Sequence, residues 1–489
     1  MKTHAAEVDS VYQSINIHTK WLIALLLALS MGCTGDREPG EGDGISKDAR
    51  PILIDGGTVV VMDSAGTILE GGAVLIEDDR IAALLEPDVP RPEGVIRIDA
   101  TGHLVIPGLI NTHGHAAMSL LRGLADDLPL LTWLNDYIFP AEAALVGPDF
   151  VYWGTLLSSI EMLKSGTTTF ADMYFFRDEV VRATTTAGIR AVTGPGIIGF
   201  PAPDYASPEE SLAEASAYME QYQGHPTIIP SVSAHALYTT SLSDIETAFQ
   251  IAERYNAPFQ IHALEDSSEN TTSRELTGMG VIEALSSIDA LRPGTVLAHS
   301  VFLSDEDISQ VAASGAGIAH NPQSNMKLGI ARVAPVTKAL AAGIPVGLGT
   351  DGPASNNDLD LFDEMDTAAK AQKLKLGDPA ALPAETVFRM ATMGGATALN
   401  LHEEIGSLEP GKRADVVLVD MDRAGLTPHY RVYSHLVYAV SGSDVSTVIV
   451  NGRIVVQDRK ILTVDEREVI EKARTFGDQV QQVMAELGR

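Results

Sequence analysis

From residue 104 onward the chain alternates short, almost wholly apolar runs with longer stretches whose apolar residues recur every three to four positions. Eight such runs stand out: LVIPGLI, GTTTFADM, IRAVTGPGI, TIIPSVSAH, PFQIHAL, TVLAHSVFL, GAGIAHNP and IPVGLGTDG. Continuous apolar runs bounded by turn residues predict strands buried on both faces, as in a parallel sheet. Between them, FVYWGTLLSSIEMLKSG and LSDIETAFQIAERYN carry helical periodicity. Eight β-then-α units between residues 106 and 400 predict an α/β fold of the (β/α)8 TIM type. No glycine-rich phosphate fingerprint follows the first run, which argues against a dinucleotide-binding sheet.

The flanks read differently. ILIDGGTVVVMD, GAVLIEDDRIAAL and GVIRIDATGHLVI precede the barrel, and ADVVLVDM and VSTVIVNGRIVVQ follow it, all short β-prone segments with turn residues. They predict a small β-sandwich domain assembled from both chain ends, 51–105 and 401–489. Helical periodicity from Asp465 to Gly488 predicts a closing C-terminal helix.

Composition narrows the classes. The 489 residues are 45% hydrophobic and 20% charged, in the range of globular proteins. A formal charge of −31 excludes nucleic acid as a partner, since that binding depends on Lys and Arg neutralising phosphates. The acidity itself implies no more than a solvated acidic surface. The single cysteine, Cys33, excludes an intrachain disulfide and a thiolate metal cage. It follows WLIALLLALS (21–30), an apolar run too short to span a bilayer, with Lys20 just before it. Residues 1–33 resemble a bacterial lipoprotein signal, departing from it in the acidic Glu7 and Asp9 and in Ser30. Export and membrane tethering through Cys33 in the cell envelope are expected; a leader that is not used would leave the chain cytoplasmic. Residues 34–50, acidic and glycine-rich, read as a disordered tether.

Candidate chemistry sits at the carboxyl ends of the predicted barrel strands, where such barrels place reactive groups. His113 and His115, one residue apart, project to the same side of an extended chain, with Gly114 leaving room for a metal or ligand between them. His262 and Asp351 complete a set of three imidazoles and one carboxylate suited to zinc with a position left open for water. Zinc acidifies a bound water toward neutral pH, and Asp351 is placed to take the proton. Glu265, three residues past His262, can protonate a ring nitrogen of a heteroaromatic substrate. His299 can hydrogen-bond the attacking hydroxide and the developing tetrahedral oxygen.

PGLINTHGHAAMSLLRGLADDLPLLTWL, HNPQSNMKLG, LGTDGPASNN and GSLEPGKRADVVLVD give residues 52 to 480 their likeness to known proteins. This region resembles the amidohydrolase superfamily. More narrowly it is similar to the 5′-methylthioadenosine/S-adenosylhomocysteine deaminases, relatives of the triazine chlorohydrolases. The resemblance implies one zinc ion per subunit on His113, His115, His262 and Asp351, with catalytic roles for Glu265, His299 and Asp351. It places Glu142 on the ribose hydroxyls and His235 near the substrate. The expected activity is hydrolytic deamination of a 6-aminopurine nucleoside to the 6-oxo product and ammonia, by a homo-oligomer with a small-molecule substrate. Two readings stay open beside it: a deaminase or chlorohydrolase of another N-heterocycle (free base, pterin or triazine), and a non-catalytic nucleoside-binding surface lipoprotein.

Two features sharpen these expectations. Binuclear superfamily members bridge their metals with a carbamylated lysine, and no lysine occurs between Lys164 and Lys327, so a mononuclear site is expected. Members that take S-adenosylhomocysteine are expected to carry arginines in and after strand three. Here no Arg or Lys occurs between Arg190 and Arg254, which predicts a preference for neutral nucleosides. Trp133 and Phe139 are candidates for pocket lining or for core. His320 is expected to organise the strand-seven loop, His103 reads as structural, and Arg122 has no assignable chemistry.

Overall fold

The computed structural model describes residues 50–489. The leader, Cys33 and the acidic segment through Ala49 lie outside the described residues. Among the described residues no helix is long and apolar enough to cross a membrane.

The barrel is built from eight parallel strands in chain order. Strand one is Leu109–Gly114, strand two Thr167–Asp172, strand five Phe259–Ala263, strand six Thr295–His299, strand seven Gly317–His320 and strand eight Val346–Leu348. Strands three and four are each interrupted, as Arg190–Thr193 with Gly196–Ile197, and as Ile228–Pro230 with Val232–Ala234. The two halves stay neighbours across the break, Ile228 opposite Ala191 and Ser233 opposite Gly196. Leu348 of strand eight pairs with Asn111 of strand one, so the cylinder closes. The interruption has a steric cause: a Cβ on Gly194 would lie 1.8 Å from the Ser231 carbonyl, an approach only glycine permits. Every residue of strands one, two, five and six is buried, as the unbroken apolar runs require.

The first run, LVIPGLI, is two strands and not one. His103–Pro107 pairs antiparallel with Val416–Asp420 outside the barrel, and barrel strand one begins only at Leu109. Pro107 and Gly108 turn the chain from one sheet into the other, a breaker pair that periodicity alone passes over.

Both chain ends contribute to one nine-stranded sheet. Its order is Lys460–Ile461, Arg453–Gln457, Val445–Val450, Val416–Asp420, His103–Pro107, Ile52–Val60, Ile68–Glu77 and Arg80–Leu85, with Ile96–Asp99 beside Ile52–Val60. The sheet meets the amino-terminal end of the barrel at a buried ion pair between Arg190 and Asp415.

The helix Pro148–Lys164, between strands one and two, receives the C-terminal helix Glu466–Glu486. Asp465 caps the latter by accepting from the Arg467 N–H at 3.0 Å. Phe476 packs edge-on to Phe150, with centroids 5.6 Å apart, and Val480 and Met484 join the same apolar cluster. Burial of each such side chain stabilises by about 1.5–3 kcal/mol. That cluster also contains Trp133, Ile138 and Tyr174, so the C-terminal helix backs the segment covering the barrel mouth.

Candidate metal centre and active site

Strand ends bring the six histidine and carboxylate candidates into one cluster. His113 lies within strand one and His115 just past it; His262 is in strand five, and His299 ends strand six. Asp351 follows strand eight, bridged to Gly114 of strand one, and its N–H donates to the His113 carbonyl at 3.0 Å. Asp351 Oδ1 is 3.2 Å from His115 Nε2 and 3.6 Å from His113 Nε2, and His262 Nε2 is 3.4 Å from His115 Nε2. Asp351 and His299 hold φ values of +61° and +69°, rare for residues with side chains. Such strain collects at functional sites, where surrounding structure enforces it.

Hydrogen bonding fixes which ring nitrogens face inward. His115 Nδ1 is 2.5 Å from the Met173 carbonyl and His262 Nδ1 is 2.8 Å from the His235 carbonyl. A carbonyl only accepts, so both rings carry a proton on Nδ1 and turn Nε2 inward. The Nε2 of His113 is buried there without a hydrogen-bond partner. Asp351 Oδ2 accepts from Ser324 Oγ at 2.6 Å and Ser355 Oγ at 2.8 Å, leaving Oδ1 for the cluster. With His115 neutral, three inward lone pairs and a carboxylate oxygen would repel one another in this buried space, so a cation, either a proton on His115 or a metal, is favoured between them.

The electrostatics agree. Burial pushes His113 down to about 4 and His262 well below its usual value. At His115 burial opposes the charged form, but Asp351, the Met173 carbonyl and Asp172 outweigh it and raise the ring to about 9. Burial also works against the charge of Asp351, yet His113 and His115 hold its carboxyl well below the usual range. The cluster therefore seeks positive charge, and a divalent metal binding there displaces one proton. The donor set of three imidazoles and a carboxylate fits such an ion, and either His113, His115 and His262, or His113, His299 and Asp351, offer atoms within 4.8 Å of one another.

Beside the cluster stand two groups of a different kind. Burial, with Asp351 and Glu269 nearby, pushes Glu265 well above the usual carboxyl range, so it holds a proton. His299 Nδ1 is 2.9 Å from Asn325 Oδ1 and 3.7 Å from Glu265 Oε1, and burial keeps the ring's value low. An ionised Asp351 next to a protonated Glu265 is a base and an acid separated by environment.

A cavity opens over these groups. Trp133, Leu130, Leu134, Ile138, Phe139 and Ile198 supply an apolar wall, and no Lys or Arg is among its lining residues. Glu142, on the helix Phe139–Leu145, is buried and accepts from the Tyr174 hydroxyl at 2.7 Å. Burial raises Glu142 to about 7 against the pull of Tyr174 and His115. His235 also lines the cavity, its Nδ1 2.7 Å from Thr239 Oγ1, and burial depresses it to about 3.

Some sequence expectations change. A Cβ on Gly114 would lie 3.6 Å from the Asp351 carbonyl, ordinary contact, so strand pairing and not metal approach occupies that space. Trp133 is buried and at the same time lines the cavity, and Phe139 packs edge-on to Phe200 at its rim. Arg122 ties Glu161, on the helix Pro148–Lys164, to the Asn357 carbonyl of the loop after strand eight. His103 sits at the edge of the nine-stranded sheet, 3.0 Å from the Thr101 carbonyl. His320 ends strand seven, buried, with both ring nitrogens unpaired.

Other residues gain roles that spacing did not reveal. Asp172, at the end of strand two, accepts from the Ala116 N–H at 2.7 Å and holds the chain just after His115. Tyr174 orients Glu142, Asn325 orients His299, and Glu269 bonds the backbone around Glu265. The only sequence signal for them was proximity to a strand end.

A family model described as the amidohydrolase family matches residues 104–455. The 5-methylthioadenosine/S-adenosylhomocysteine deaminase 1 of Syntrophus aciditrophicus (strain SB) is 45% identical over 436 residues, covering 89% of this chain and 98% of that protein. The 5′-deoxyadenosine deaminase of Methanothermobacter thermautotrophicus is 43% identical over 428 residues, covering 87% of this chain and 98% of its own length. Among solved structures, a zinc-bound adenosine deaminase from Xanthomonas campestris superposes with a TM-score of 0.86 at 35% identity, covering 88% of this chain and 98% of that one. A zinc complex of the atrazine chlorohydrolase from Arthrobacter aurescens TC1 gives 0.81 at 26% identity, covering 87% and 100%.

Proposed function

This chain belongs to the amidohydrolase family as a hydrolase acting on C–N bonds, and on that premise we propose that it deaminates a 6-aminopurine nucleoside with one zinc ion. The observation that carries the reading is the gathering of His113, His115, His262 and Asp351 with the buried Glu265 and His299 beside them, burial pushing the Glu265 carboxyl up while His113 and His115 hold that of Asp351 down. His113, His115, His262 and Asp351 would hold the zinc, which supplies a water acidified toward neutral pH. Asp351 takes the proton from that water. Glu265 delivers its own proton to the ring nitrogen next to the amino-bearing carbon, making that carbon electrophilic. His299, its Nδ1 proton held by Asn325 Oδ1, hydrogen-bonds the attacking water through its other nitrogen. Asp351 then passes its proton to the amino group, the C–N bond breaks with loss of ammonia, and the hydroxyl proton returns to Glu265 as the 6-oxo product forms.

Glu142 accepts from the ribose hydroxyls, supported by its burial against Tyr174 on the cavity wall. His235 and Trp133 contact the substrate from that wall. A lining with acidic residues and no Lys or Arg supports methylthioadenosine or adenosine over S-adenosylhomocysteine, whose amino-acid carboxylate would find no Lys or Arg there. Comparing kcat/KM on the two should favour the neutral nucleoside by about tenfold or more, the scale of one missing charged contact. An advantage for the carboxylated substrate would overturn the preference. The activity itself is tested by ammonia release across aminopurine nucleosides and free bases, with and without zinc. Glu265→Gln should lose about 10²–10⁴-fold in kcat, because an amide cannot relay the proton.

The same proposal extends to the rest of the chain. The nine-stranded sheet doubles over as the small β-sandwich of 51–105 and 401–489, supported by one apolar cluster joining Ile54 and Ile81 to Val416 and Ile449. Self-association as a homo-oligomer is read out by light scattering. The leader exports the protein and lipidates Cys33, tested by metabolic labelling with a palmitate analogue in wild type and Cys33→Ala.

A further inference from the structure

We propose that Glu269 is the positioning residue for Glu265, fixing the acid's side chain by capturing three consecutive backbone amides around it. The inference rests on the reading of Glu265 as the proton donor. Glu269 opens the helix Glu269–Thr277 and is buried. Its Oε1 accepts from the Glu265 N–H at 2.6 Å and the Asp266 N–H at 3.0 Å, and its Oε2 accepts from the Leu264 N–H at 2.9 Å. Leu264 there adopts φ +57°, a left-handed conformation that an apolar side chain disfavours. That kink ends strand five and turns the Glu265 carboxyl over the cluster, instead of letting the strand continue past it. The other side of the kink is pinned by the Ser300 N–H on the Ala263 carbonyl and the Phe302 N–H on the Leu264 carbonyl, both 3.0 Å.

A turn of this kind needs acceptors, and Asn or Ser supplies them without charge. Glu269 instead buries a carboxyl group beside Glu265 with no Lys or Arg salt bridge among the described residues, and burial pushes its own value up against the pull of the three amides. Fold stability alone does not favour that arrangement, since a buried charge without a counter-charge is costly. What it adds is a rigid frame for Glu265, three amides held by one side chain.

The test compares Glu269→Gln and Glu269→Asp with wild type in the zinc-loaded enzyme. The glutamine presents an NH2 to a backbone N–H and loses part of the frame. Its kcat should fall about 100-fold, the cost of a small misplacement of a reacting group. KM for methylthioadenosine, zinc content and Tm should stay as in wild type. Affinity for a tetrahedral 6-hydroxy-1,6-dihydropurine riboside should weaken in parallel with kcat/KM, a coupling that a purely structural residue does not produce. Glu269→Asp keeps both acceptor oxygens but draws them back by one methylene, so its kcat should lie between that of Glu269→Gln and wild type, measurably below the latter. Wild-type kcat in Glu269→Gln overturns the proposal, as does a loss confined to zinc content or Tm. If the glutamine variant does not fold, Glu269→Asp decides: reduced kcat at unchanged KM and zinc content supports the proposal, and unchanged kcat overturns it. Glu265→Gln, measured alongside, separates the two readings. Ammonia release that survives it defeats the proton-donor role, whatever Glu269 does.

Discussion

Two buried polar clusters lie at opposite ends of the barrel, and they are satisfied in opposite ways. At the amino-terminal end Arg190 pairs with Asp415 and reaches Asn451 Oδ1 at 3.2 Å and Thr169 Oγ1 at 3.3 Å, while Asp415 also accepts from the Asn451 N–H at 2.8 Å. No buried side-chain atom of Arg190, Asp415 or Asn451 lacks a partner. At the carboxyl-terminal end His113 Nε2, Asp172 Oδ2, Asn321 Oδ1 and Asn325 Nδ2 are all buried and unpaired. Native interiors satisfy their polar groups unless something else is meant to occupy the place. The closed cluster joins the barrel to the nine-stranded sheet; the open one awaits a cation and a substrate. Burial of charge by itself does not mark function, and the unspent lone pairs do.

The comparison breaks most sharply at Asp351. Asp351→Asn removes the charge that balances the metal and the base that takes the water's proton, so activity should fall by about 10³-fold or more. Metal analysis of the purified variant should show zinc below one ion per chain, and an ammonia assay should show the loss. Chelation of wild type should act in the same direction on stability, removing about 2.7 kcal/mol if zinc stands at 100 times its dissociation constant. A variant that keeps both zinc and turnover would mean that the open cluster is not the site.

Arg190→Met tests the other end and should reverse the pattern. It leaves Asp415 buried without its partner, costing about 3–5 kcal/mol of stability. Zinc content and kcat of the folded enzyme should be unchanged, as read by denaturant unfolding and steady-state kinetics. Replacing Arg190 and Asp415 together by Met and Leu should restore much of the stability, because no charge is then left unpaired. Lost zinc in Arg190→Met at full folding would show that the two ends are not independent.

What the sequence made legible follows the same division. His113, His115, His262, His299 and Asp351 were readable because strand ends in a barrel converge, so order along the chain stands in for proximity. The runs between Leu109 and Leu348 were readable because strands buried on both faces have no polar face to interrupt them. Glu269, Tyr174 and Asn325 were not readable. Glu269 matters because Leu264 adopts a left-handed turn, and Tyr174 because a helix from the preceding loop brings Glu142 to its hydroxyl. Those are facts of three-dimensional approach with no periodic signature. The split of LVIPGLI at Pro107–Gly108 was signalled by residue type but hidden by hydrophobicity, since both halves are buried in different sheets.

The smallest expected effect lies at the cavity wall, between the two clusters in character. Glu142 has one partner, Tyr174, and burial raises it to about 7. Its folded value lies above the usual 4.5, so the stability it contributes is present at low pH and is lost as pH rises from about 4.5 through 7. Binding runs the other way, because only the ionised carboxylate accepts from both ribose hydroxyls at full strength. KM for a riboside should therefore fall by about three- to tenfold as pH rises through 7, the worth of one charge-assisted hydrogen bond. A 2′,3′-dideoxy substrate has no hydroxyls to offer and should show no such dependence. Tyr174→Phe removes the donor that favours the charged form, so the midpoint of the riboside profile should move to higher pH. If both substrates follow the same profile, the titrating group lies in the metal cluster, and Glu142 belongs with the satisfied polar groups of the scaffold.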